Sequence, residues 1–588
     1  MHKHLILLVI DSVTEEQTVA SSFKHSPMPF LDKLKESSFQ ATQVYSQAPF
    51  TEAAIMPLLT GNNLLDNGGY LNKFKYRDNF LTHLSKQGYQ TYLNHLQPLV
   101  YPSYCISDLI DYKYDLYYCM GQMWDYRLKY YAPYYLDGTI SKEEMDYVLD
   151  VVEDNLKFAI KQLNQCIQND PKATFLNTFS QVDAPANLEF VKKEYELFIK
   201  DRSSYLRDLF TSGESFRLFQ LPVLTLNKKV PDNFVDIFIN RYQHVFKRID
   251  TLNKQKNLRN LKFPFYKSTS HLLKGEFYLA KQYIAMYKNC VIDKDLMERV
   301  SPQYPQFKAS ISMRSHLDDA LEWLENHDSD PCALYVHIDD AHSPEIFYSV
   351  DSTNLEVLDE EFKAIEDYLN HLPKNYYGNL CSDLSLVYCD LCLKYFFTQL
   401  QKKGLLDHTV VAITADHGFS YSYRPIRPVY VNSEYTENYH IPFVLYDSER
   451  CKKIQNGYFS SKDVVPTLLE SVGLPIPSVM SGMSMLSNAG RQYTTVEYLG
   501  GGCPDMERRS VILGVHTDCF LVIMKQPLNQ VFDRHQLDQV YDLKKDPQQY
   551  KNLAKTIALS QIESEISLIE KRFYEIKENY EVFKREQS

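Results

Sequence analysis

Three apolar runs that each end in an acidic residue constrain the fold of this chain more than any other feature. The runs, each with the acid that follows it, are residues 5–10 with Asp11, 334–338 with Asp339, and 409–414 with Asp416. An uninterrupted apolar run of this length is typical of a central parallel strand that is covered on both faces. Ligands of open α/β sheets gather at the carboxyl ends of such strands. We therefore predict an α/β fold with a functional site at this edge of the sheet.

Length and composition narrow the class of protein. The chain has 588 residues, so we expect a large α/β domain together with a smaller domain or a sizeable insertion. Hydrophobic residues make up 44% and charged residues 23%, which is typical of a globular protein. The net charge of −12 offers no basic surface for phosphates, so nucleic acid is not an expected partner.

The N-terminus and the cysteines predict a cytoplasmic location. The apolar run before Asp11 is too short for the core of a signal peptide and far too short for a transmembrane segment. The 11 cysteines follow no regular spacing, which favours reduced thiols over a disulfide framework. We therefore expect a cytoplasmic protein without a transmembrane segment.

The pattern along the chain predicts three regions. Residues 101–310 contain long polar-aromatic helical stretches and no strand that ends in clustered acids, so we predict a helical, Tyr-rich insertion there. The tyrosines of 101–135 suit either a sugar or lipid-headgroup site or helix packing, and packing is the more common role. Residues 1–100 and 311–488 form the predicted catalytic core. Residues 489–588 form a predicted C-terminal subdomain that ends in a helix.

One segment resembles the signature of the sulfatases. In the sequence TEAAIMPLLTG, which begins at Thr51, a candidate nucleophile opens a helix and Leu-Thr-Gly follows at the sulfatase spacing. The strand that ends at Asp11 and the motif Asp416-His417-Gly418 resemble two further sulfatase motifs. The resemblance implies an alkaline phosphatase-like sandwich, with a large mixed, mostly parallel sheet flanked by helices and a smaller C-terminal α+β subdomain.

The same segment departs from sulfatases at the nucleophile. Sulfatases convert a Cys or Ser, followed by Pro two residues later and Arg four residues later, to formylglycine. Here these positions are Thr51, Ala53 and Ile55, so that modification is not expected. The arrangement is instead similar to the phosphoethanolamine and phosphoglycerol transferases, in which a metal-activated threonine attacks. A divalent cation lowers the pKa of such a hydroxyl and neutralises charge on the transferring group.

The motif matches imply one divalent metal ion as cofactor. By resemblance its ligands are Asp11, Thr51, Asp416 and His417. Two carboxylates, an imidazole and a hydroxyl suit manganese, zinc, magnesium or calcium. Ser12 stands where many sulfatases have a second acid, which favours manganese or zinc over the oxygen-rich calcium site.

Two further histidines are candidate substrate contacts. The segment 335–344 resembles the sulfatase stretch that ends in His-x-Pro, which implies that His342 contacts the ester or protonates the leaving oxygen. His440 lies in a segment similar to the one before the strand that leaves the sulfatase active site, and it is either a ligand or phosphate contact or a surface-loop residue. His337 lies inside its strand, and we interpret it as structural. A second metal at Asp339 or Asp340 with His342 and His440 is the alternative to a single ion.

Together these features predict a metal-dependent hydrolase or transferase of phosphate-type esters with Thr51 as nucleophile. The expected substrates are small-molecule or glycan esters, or lipid-headgroup esters. One alternative is a hydrolase of sulfate esters. Another is a catalytically silent protein that binds a glycan or a partner, although such a protein has no need to retain all four metal-site residues.

Overall fold

The fold is given by a computed structural model that describes most of the chain. The longer described ranges are 3–20, 24–70, 78–95, 180–205, 234–281, 313–342, 355–373, 380–419, 435–450, 452–499 and 510–587, with shorter stretches between them. The tyrosines predicted to pack helices at 101–135 lie almost entirely outside the described residues, as do the boundaries predicted near 100 and 310.

The strands are assigned as follows. They are β1 (His4–Ile10), β2 (Phe39–Ala41), β3 (Val44–Tyr45), β4 (Gln90–His95), β5 (Asp111–Tyr112), β6 (Thr174–Asn177), β7 (Ser180–Asp183), β8 (Cys332–Ile338), β9 (Thr409–Thr414), β10 (His440–Ile441), β11 (Phe443–Tyr446), β12 (Lys453–Gln455), β13 (Phe459–Ser460), β14 (Thr494–Leu499), β15 (Ser510–His516), β16 (Phe520–Pro527) and β17 (Leu537–Asp542).

The helices are assigned in the same way. They are α1 (Glu15–Thr18), α2 (Pro29–Lys35), α3 (Thr51–Thr60), α4 (Phe80–Lys86), α5 (Ala184–Lys200), α6 (Phe234–Leu273), α7 (Met313–His327), α8 (Leu355–His371), α9 (Leu380–Lys402), α10 (Val464–Ser471) and α11 (Glu563–Gln587). Among the helices of the described residues, none combines the length and apolar character that crossing a membrane requires.

The main sheet has eight strands in the order β12-β2-β11-β9-β1-β8-β4-β5. All neighbours in it are parallel except β11, which runs antiparallel to β9 and to β2. The three apolar runs singled out in the sequence are β1, β8 and β9, and they are adjacent at the centre. The prediction of an α/β fold with a mixed, mostly parallel sheet is confirmed.

The strand register brings the three acids to one level of the sheet. Strand β1 pairs with β8 through Ile10 and Ile338, and with β9 through Val9 and Thr414. Every residue of β1 is buried, because helices cover both faces of a parallel sheet. The carboxyl ends of three neighbouring strands therefore deliver their acids to the same buried edge.

The C-terminal part is built on an antiparallel sheet, β14-β15-β16-β17, with α11 packed against it. Arg572 on α11 joins this part to the core, since its guanidinium donates to Glu497 on β14 at 2.7 Å and to Asp66 after α3 at 2.9 Å. The predicted C-terminal α+β architecture is confirmed.

We expect the centre of β1 to dominate the stability of the core. Leu7 is fully buried between β8 and β9, so Leu7→Ala leaves a cavity and lowers the free energy of unfolding by about 2–5 kcal/mol. The control is Val531→Ala, at a position that is 80% exposed, where a change within about 0.5 kcal/mol is expected. The urea midpoints of both variants test this, and equal midpoints would contradict it.

Candidate active site

Two buried carboxylates form the base of the site. Asp11 follows β1 and Asp416 follows β9, and they are 1% and 0% exposed. The backbone N–H of Asp11 donates to Ile338 O at 2.8 Å, which continues the ladder to the end of β8. Oδ1 of Asp416 accepts from the N–H groups of Ser12 at 3.1 Å and His417 at 2.8 Å. The orientation of both acids is therefore fixed by the ends of the central strands.

Ser12 adopts an unusual backbone conformation, and its contacts hold the two acids in place. Its φ is +63°, in the left-handed region that residues other than glycine rarely adopt. The turn directs its N–H to Asp416, while its hydroxyl donates to Asp11 Oδ1 at 2.7 Å. Such backbone strain persists where surrounding contacts over-determine it, and it clusters at functional sites. Ser12 therefore organises both carboxylates, a role that the sequence did not indicate.

Thr51 is the first residue of α3, as predicted. Phe50 before it is extended and places no side-chain cap on the helix, so the N-terminal N–H groups of α3 and its dipole face the site. Thr51 Oγ1 lies 3.2 Å from His417 Nε2 and 3.4 Å from Asp11 Oδ2. A hydroxyl at a helix N-terminus is suitably placed to receive an anionic group.

His417 presents its Nε2 lone pair to the cluster. Its Nδ1 lies 2.7 Å from the carbonyl oxygen of Gly418, and because that oxygen only accepts, Nδ1 carries the proton. Nε2 is 3.6 Å from Asp11 Oδ1 and 3.5 Å from Asp416 Oδ2. A hydrogen bond from the other ring nitrogen is the usual way in which a metal-binding histidine is held in its tautomer.

The four residues fit a divalent cation. Two atoms bound at about 2.1 Å with a tetrahedral angle lie about 3.4 Å apart, and the contacts among Asp11, Thr51, Asp416 and His417 measure 3.2–3.6 Å. Oδ2 of Asp416 is buried without a hydrogen-bond partner. Within the described part of the chain, the ion-pair partners of Asp11 and Asp416 are histidines. A cation would compensate two carboxylates that are otherwise costly to bury.

His337, which we interpreted as structural, borders the same cluster. Its Nε2 is 3.9 Å from Asp11 Oδ2 and 3.9 Å from Asp416 Oδ2, and these three side chains form a group that could hold a metal. Burial lowers the pKa of His337 to about 4, so the ring is neutral. Nδ1 pairs with the Tyr335 hydroxyl at 2.8 Å.

His342 lies on the turn that follows β8. Its backbone N–H donates to Asp339 O at 2.9 Å, and its side chain is partly exposed. The residue therefore occupies the same edge of the sheet as the cluster without a hydrogen bond from its ring to the four clustered side chains.

His440 is engaged with protein groups on both sides of its ring. Nδ1 lies 2.7 Å from Glu16 Oε1 and Nε2 lies 2.8 Å from Thr42 O, while the ring stacks on Tyr45 at 4.7 Å. Burial alone would lower the pKa of His440, but the carboxylate of Glu16 raises it to about 9. His440 thus forms a charged pair with Glu16 of helix α1 rather than a link to the cluster.

The alternative second metal set does not assemble in the described residues. Both ring nitrogens of His440 already contact protein groups, Glu16 and Thr42, so His440 offers no nitrogen to such an ion. Asp339 and Asp340 are both buried and take part in other interactions.

A different group, His4, Asp328 and His408, lies at the opposite edge of the sheet. His4 Nδ1 accepts from the N–H of Cys332 at 3.1 Å, so in the neutral ring Nε2 carries the proton and donates to Asp328 at 2.9 Å. A protonated Nε2 cannot bind a metal. This group is therefore best explained as a hydrogen-bonded cluster at the start of β1 and β9.

Comparison with known proteins finds one matching family model and several curated relatives. The model of the family described as Sulfatase matches residues 3–176 and 244–474. The multifunctional alkaline phosphatase superfamily protein PehA of Trinickia caryophylli is 27% identical over 188 residues, which are 28% of this chain and 34% of PehA. Arylsulfatase K of Bos taurus is 27% identical over 133 residues, 22% of this chain and 23% of that protein. The chain thus matches about a third or less of the length of these two relatives.

A solved structure covers more of the chain at lower identity. The phosphonate monoester hydrolase of Agrobacterium radiobacter aligns with 98% of this chain and 96% of its own, at 12% identity and a TM-score of 0.49.

The pair of His440 and Glu16 predicts a pH-dependent stability. The pKa of His440 is raised to about 9, so its contribution is complete below about pH 6.5 and is lost as the pH rises through 9. Burial would raise the pKa of Glu16, but His440 lowers it to about 2, so the contribution of Glu16 is present above about pH 4.5 and is lost as the pH falls through 2.

The measurement is the free energy of unfolding of wild type and His440→Gln between pH 6 and 9.5. Since 43% of the Glu16 side chain is exposed, solvent screening limits the pH-dependent part to about 1–2 kcal/mol. We expect the destabilisation by His440→Gln to shrink as the pH rises. His371→Gln, at an exposed position, is the control. A destabilisation that is constant over this range would show that the pair is not charged as described.

Proposed function

The chain belongs to the sulfatase family of the alkaline phosphatase superfamily, and we propose that it hydrolyses or transfers phosphate-type esters with Thr51 as the nucleophile. The observation that supports this proposal is the position of Thr51 Oγ1, at the N-terminus of α3 and within 3.4 Å of both Asp11 and His417. No other described hydroxyl of the cluster combines a helix N-terminus with contacts to a carboxylate and an imidazole; the hydroxyl of Ser12 is used in its bond to Asp11.

One divalent metal ion, manganese or zinc in our proposal, would be held by Asp11, Thr51, Asp416 and His417. Its chemistry would be to lower the pKa of the Thr51 hydroxyl and to neutralise charge on the transferring group. His337 borders the same position and would add a fifth donor through Nε2 when its Nδ1 proton is donated to Tyr335.

The side chains then perform two displacements. In the first, Thr51 Oγ1 attacks phosphorus, its proton passes to Asp11 Oδ2 at 3.4 Å, and the bond from phosphorus to the leaving oxygen breaks. His342 gives a proton to that oxygen, a role suited to an imidazole near neutral pH. In the second, water or an acceptor hydroxyl loses a proton to His342 and attacks phosphorus. The bond from phosphorus to Thr51 Oγ1 breaks, and Thr51 Oγ1 takes its proton back from Asp11 Oδ2. The N-terminal N–H groups of α3 stabilise the charge on the transferring group in both steps.

Hydrolysis of sulfate esters is the second candidate, because the family model and arylsulfatase K both point to it. Thr51, Ala53 and Ile55 replace the residues that direct conversion to formylglycine, so this candidate requires threonine itself to attack sulfur. Phosphate-type esters fit a threonine nucleophile better. We propose glycan or lipid-headgroup esters as the substrate class.

Removal of the Thr51 hydroxyl separates an enzyme with this nucleophile from a binding protein. We expect Thr51→Ala to lower kcat for an aryl phosphate, a phosphodiester or a sulfate ester by about 10³-fold or more. Thr51→Ser keeps the hydroxyl and should retain activity within about tenfold. If Thr51→Ala turned over substrate at the wild-type rate, Thr51 would not be the nucleophile. The ester with the highest kcat/KM in wild type identifies the preferred class.

Metal content is the second test of the site. Elemental analysis of purified protein should give one divalent ion per chain. Asp416→Asn should lose it, because the substitution removes the charge of the carboxylate whose Oδ2 accepts no hydrogen bond among the described residues. The control is Asp328→Asn in the hydrogen-bonded cluster at the opposite edge, which should keep the ion. If Asp328→Asn lost the metal and Asp416→Asn kept it, the ion would bind at the opposite edge instead.

The role of His342 predicts a dependence on the leaving group. A proton donor matters most when the leaving oxygen is basic, so His342→Gln should lower kcat by about 10²-fold or more for an alkyl phosphate and far less for a nitrophenyl phosphate. His371→Gln is a control at an exposed position outside the four clustered side chains. Equal losses on both substrates would exclude His342 as the general acid and leave it a binding role.

A further inference from the structure

A polar cavity lies where the core meets the C-terminal part of the chain. It has a volume of about 140 Å³, and its walls come from the segment after α3, the turn before α10, the start of β14 and the exposed face of α11. The polar side chains in its walls include Asn63, Lys462, Arg491, Thr494, Lys571 and Arg572.

The cavity wall carries more cations than acids. Four basic side chains line it, against the single carboxylate of Glu575. Arg491 is held from behind by the buried Asp463, with contacts of 2.5 and 3.0 Å. Arg572 is held in the same way by Glu497 and Asp66. Because these acids anchor the guanidinium groups, the cations are preorganised around the cavity.

Within the part of the chain that the structure describes, Lys462 has no carboxylate partner. Its Nζ donates to the amide oxygen of Asn63 at 2.7 Å, which is a neutral acceptor. An ammonium has three donors, so two remain for another group. Burial lowers the pKa of Lys462, and the nearby charge of Arg491 lowers it further. An anion in the cavity would relieve this repulsion and use the remaining donors.

Thr494 provides an independent observation. Its side chain lines the cavity and the residue is only 3% exposed, yet its Oγ1 has no hydrogen-bond partner among the described residues. Buried hydroxyl groups are rarely left unpaired, because burial without a partner costs about 1–3 kcal/mol. A hydroxyl together with ammonium and guanidinium donors is a set that matches the oxygens of an anion.

We propose that this cavity is a second, non-catalytic site for a tetrahedral oxyanion such as inorganic phosphate or sulfate, bound by Lys462, Arg491 and Thr494. The site is separate from the Thr51 cluster. Thr51 begins α3 and Asn63 lies beyond its end at Thr60, and a helix of this length spans about 15 Å. Because the cavity uses no residue of the cluster, this inference does not depend on the proposed reaction.

The test is calorimetric titration of the full-length protein with inorganic phosphate and, separately, with inorganic sulfate. Lys462→Met removes the charge and keeps most of the length of the side chain. We expect it to weaken binding of the anion in the cavity by at least about tenfold. Lys453→Met is the matched control, since Lys453 also donates to a neutral oxygen, that of Leu486, and lies outside the cavity. Unchanged binding in Lys462→Met would overturn the proposal.

A second variant tests the site with a substitution that is not expected to disturb folding. Thr494→Val removes a hydroxyl that has no partner, so the thermal midpoint without added anion should not fall. The rise in midpoint caused by phosphate should be smaller than in wild type. An equal rise in Thr494→Val and wild type would exclude Thr494 from the site.

Two further experiments distinguish this site from the catalytic one and identify the source of the anion. Asp416→Asn should lose catalytic turnover but keep the binding that Lys462→Met removes, whereas loss of both would place the anion at the Thr51 cluster and overturn the proposal. A hexose 6-phosphate that binds more tightly than inorganic phosphate, in a Lys462-dependent way, would show that the site takes the anionic group of a larger ester.

Discussion

The structure around the active site depends on bringing two carboxylates together in the dry interior. Asp11 and Asp416 terminate neighbouring strands and are at most 1% exposed, so each charge is removed from water beside another of the same sign. Backbone N–H groups and the Ser12 hydroxyl stabilise one oxygen of each acid, while Asp416 Oδ2 has no hydrogen-bond partner. A cation between the two acids would offset the cost of burying them together.

The remaining parts of the site direct positive potential or lone pairs toward the two buried carboxylates. His417 is fixed in the tautomer that directs a lone pair inward, because its other nitrogen is used by Gly418. Helix α3 adds a positive dipole end with Thr51 as its first residue. The strained turn at Ser12 connects β1 to this cluster through both carboxylates. Each element therefore adds a donor set or a positive potential toward a single point at the sheet edge.

The sequence predicted those parts of the site that follow from local pattern. Apolar runs ending in Asp11 and Asp416 are readable because buried parallel strands have a distinctive composition, and Thr51 is readable because its motif is contiguous. The proximity of His337 to both acids was not foreseen, since it depends on which strands are neighbours. The partner of His440 is Glu16, 424 residues away, and no local pattern encodes such a pairing. Strand order and long-range side-chain pairs were thus the part that sequence reasoning could not supply.

The cations near the far end of α3 raise the question of whether the helix dipole alone explains them. A positive charge near a helix C-terminus contributes about 0.3–1 kcal/mol, and Lys462, which bonds Asn63 just beyond α3, is in position to do so. That effect requires one cation. It does not account for Arg491 and Arg572 converging on the same cavity, each fixed by its own buried carboxylate, or for the unpaired hydroxyl of Thr494. A bound anion accounts for all of these features with one interaction.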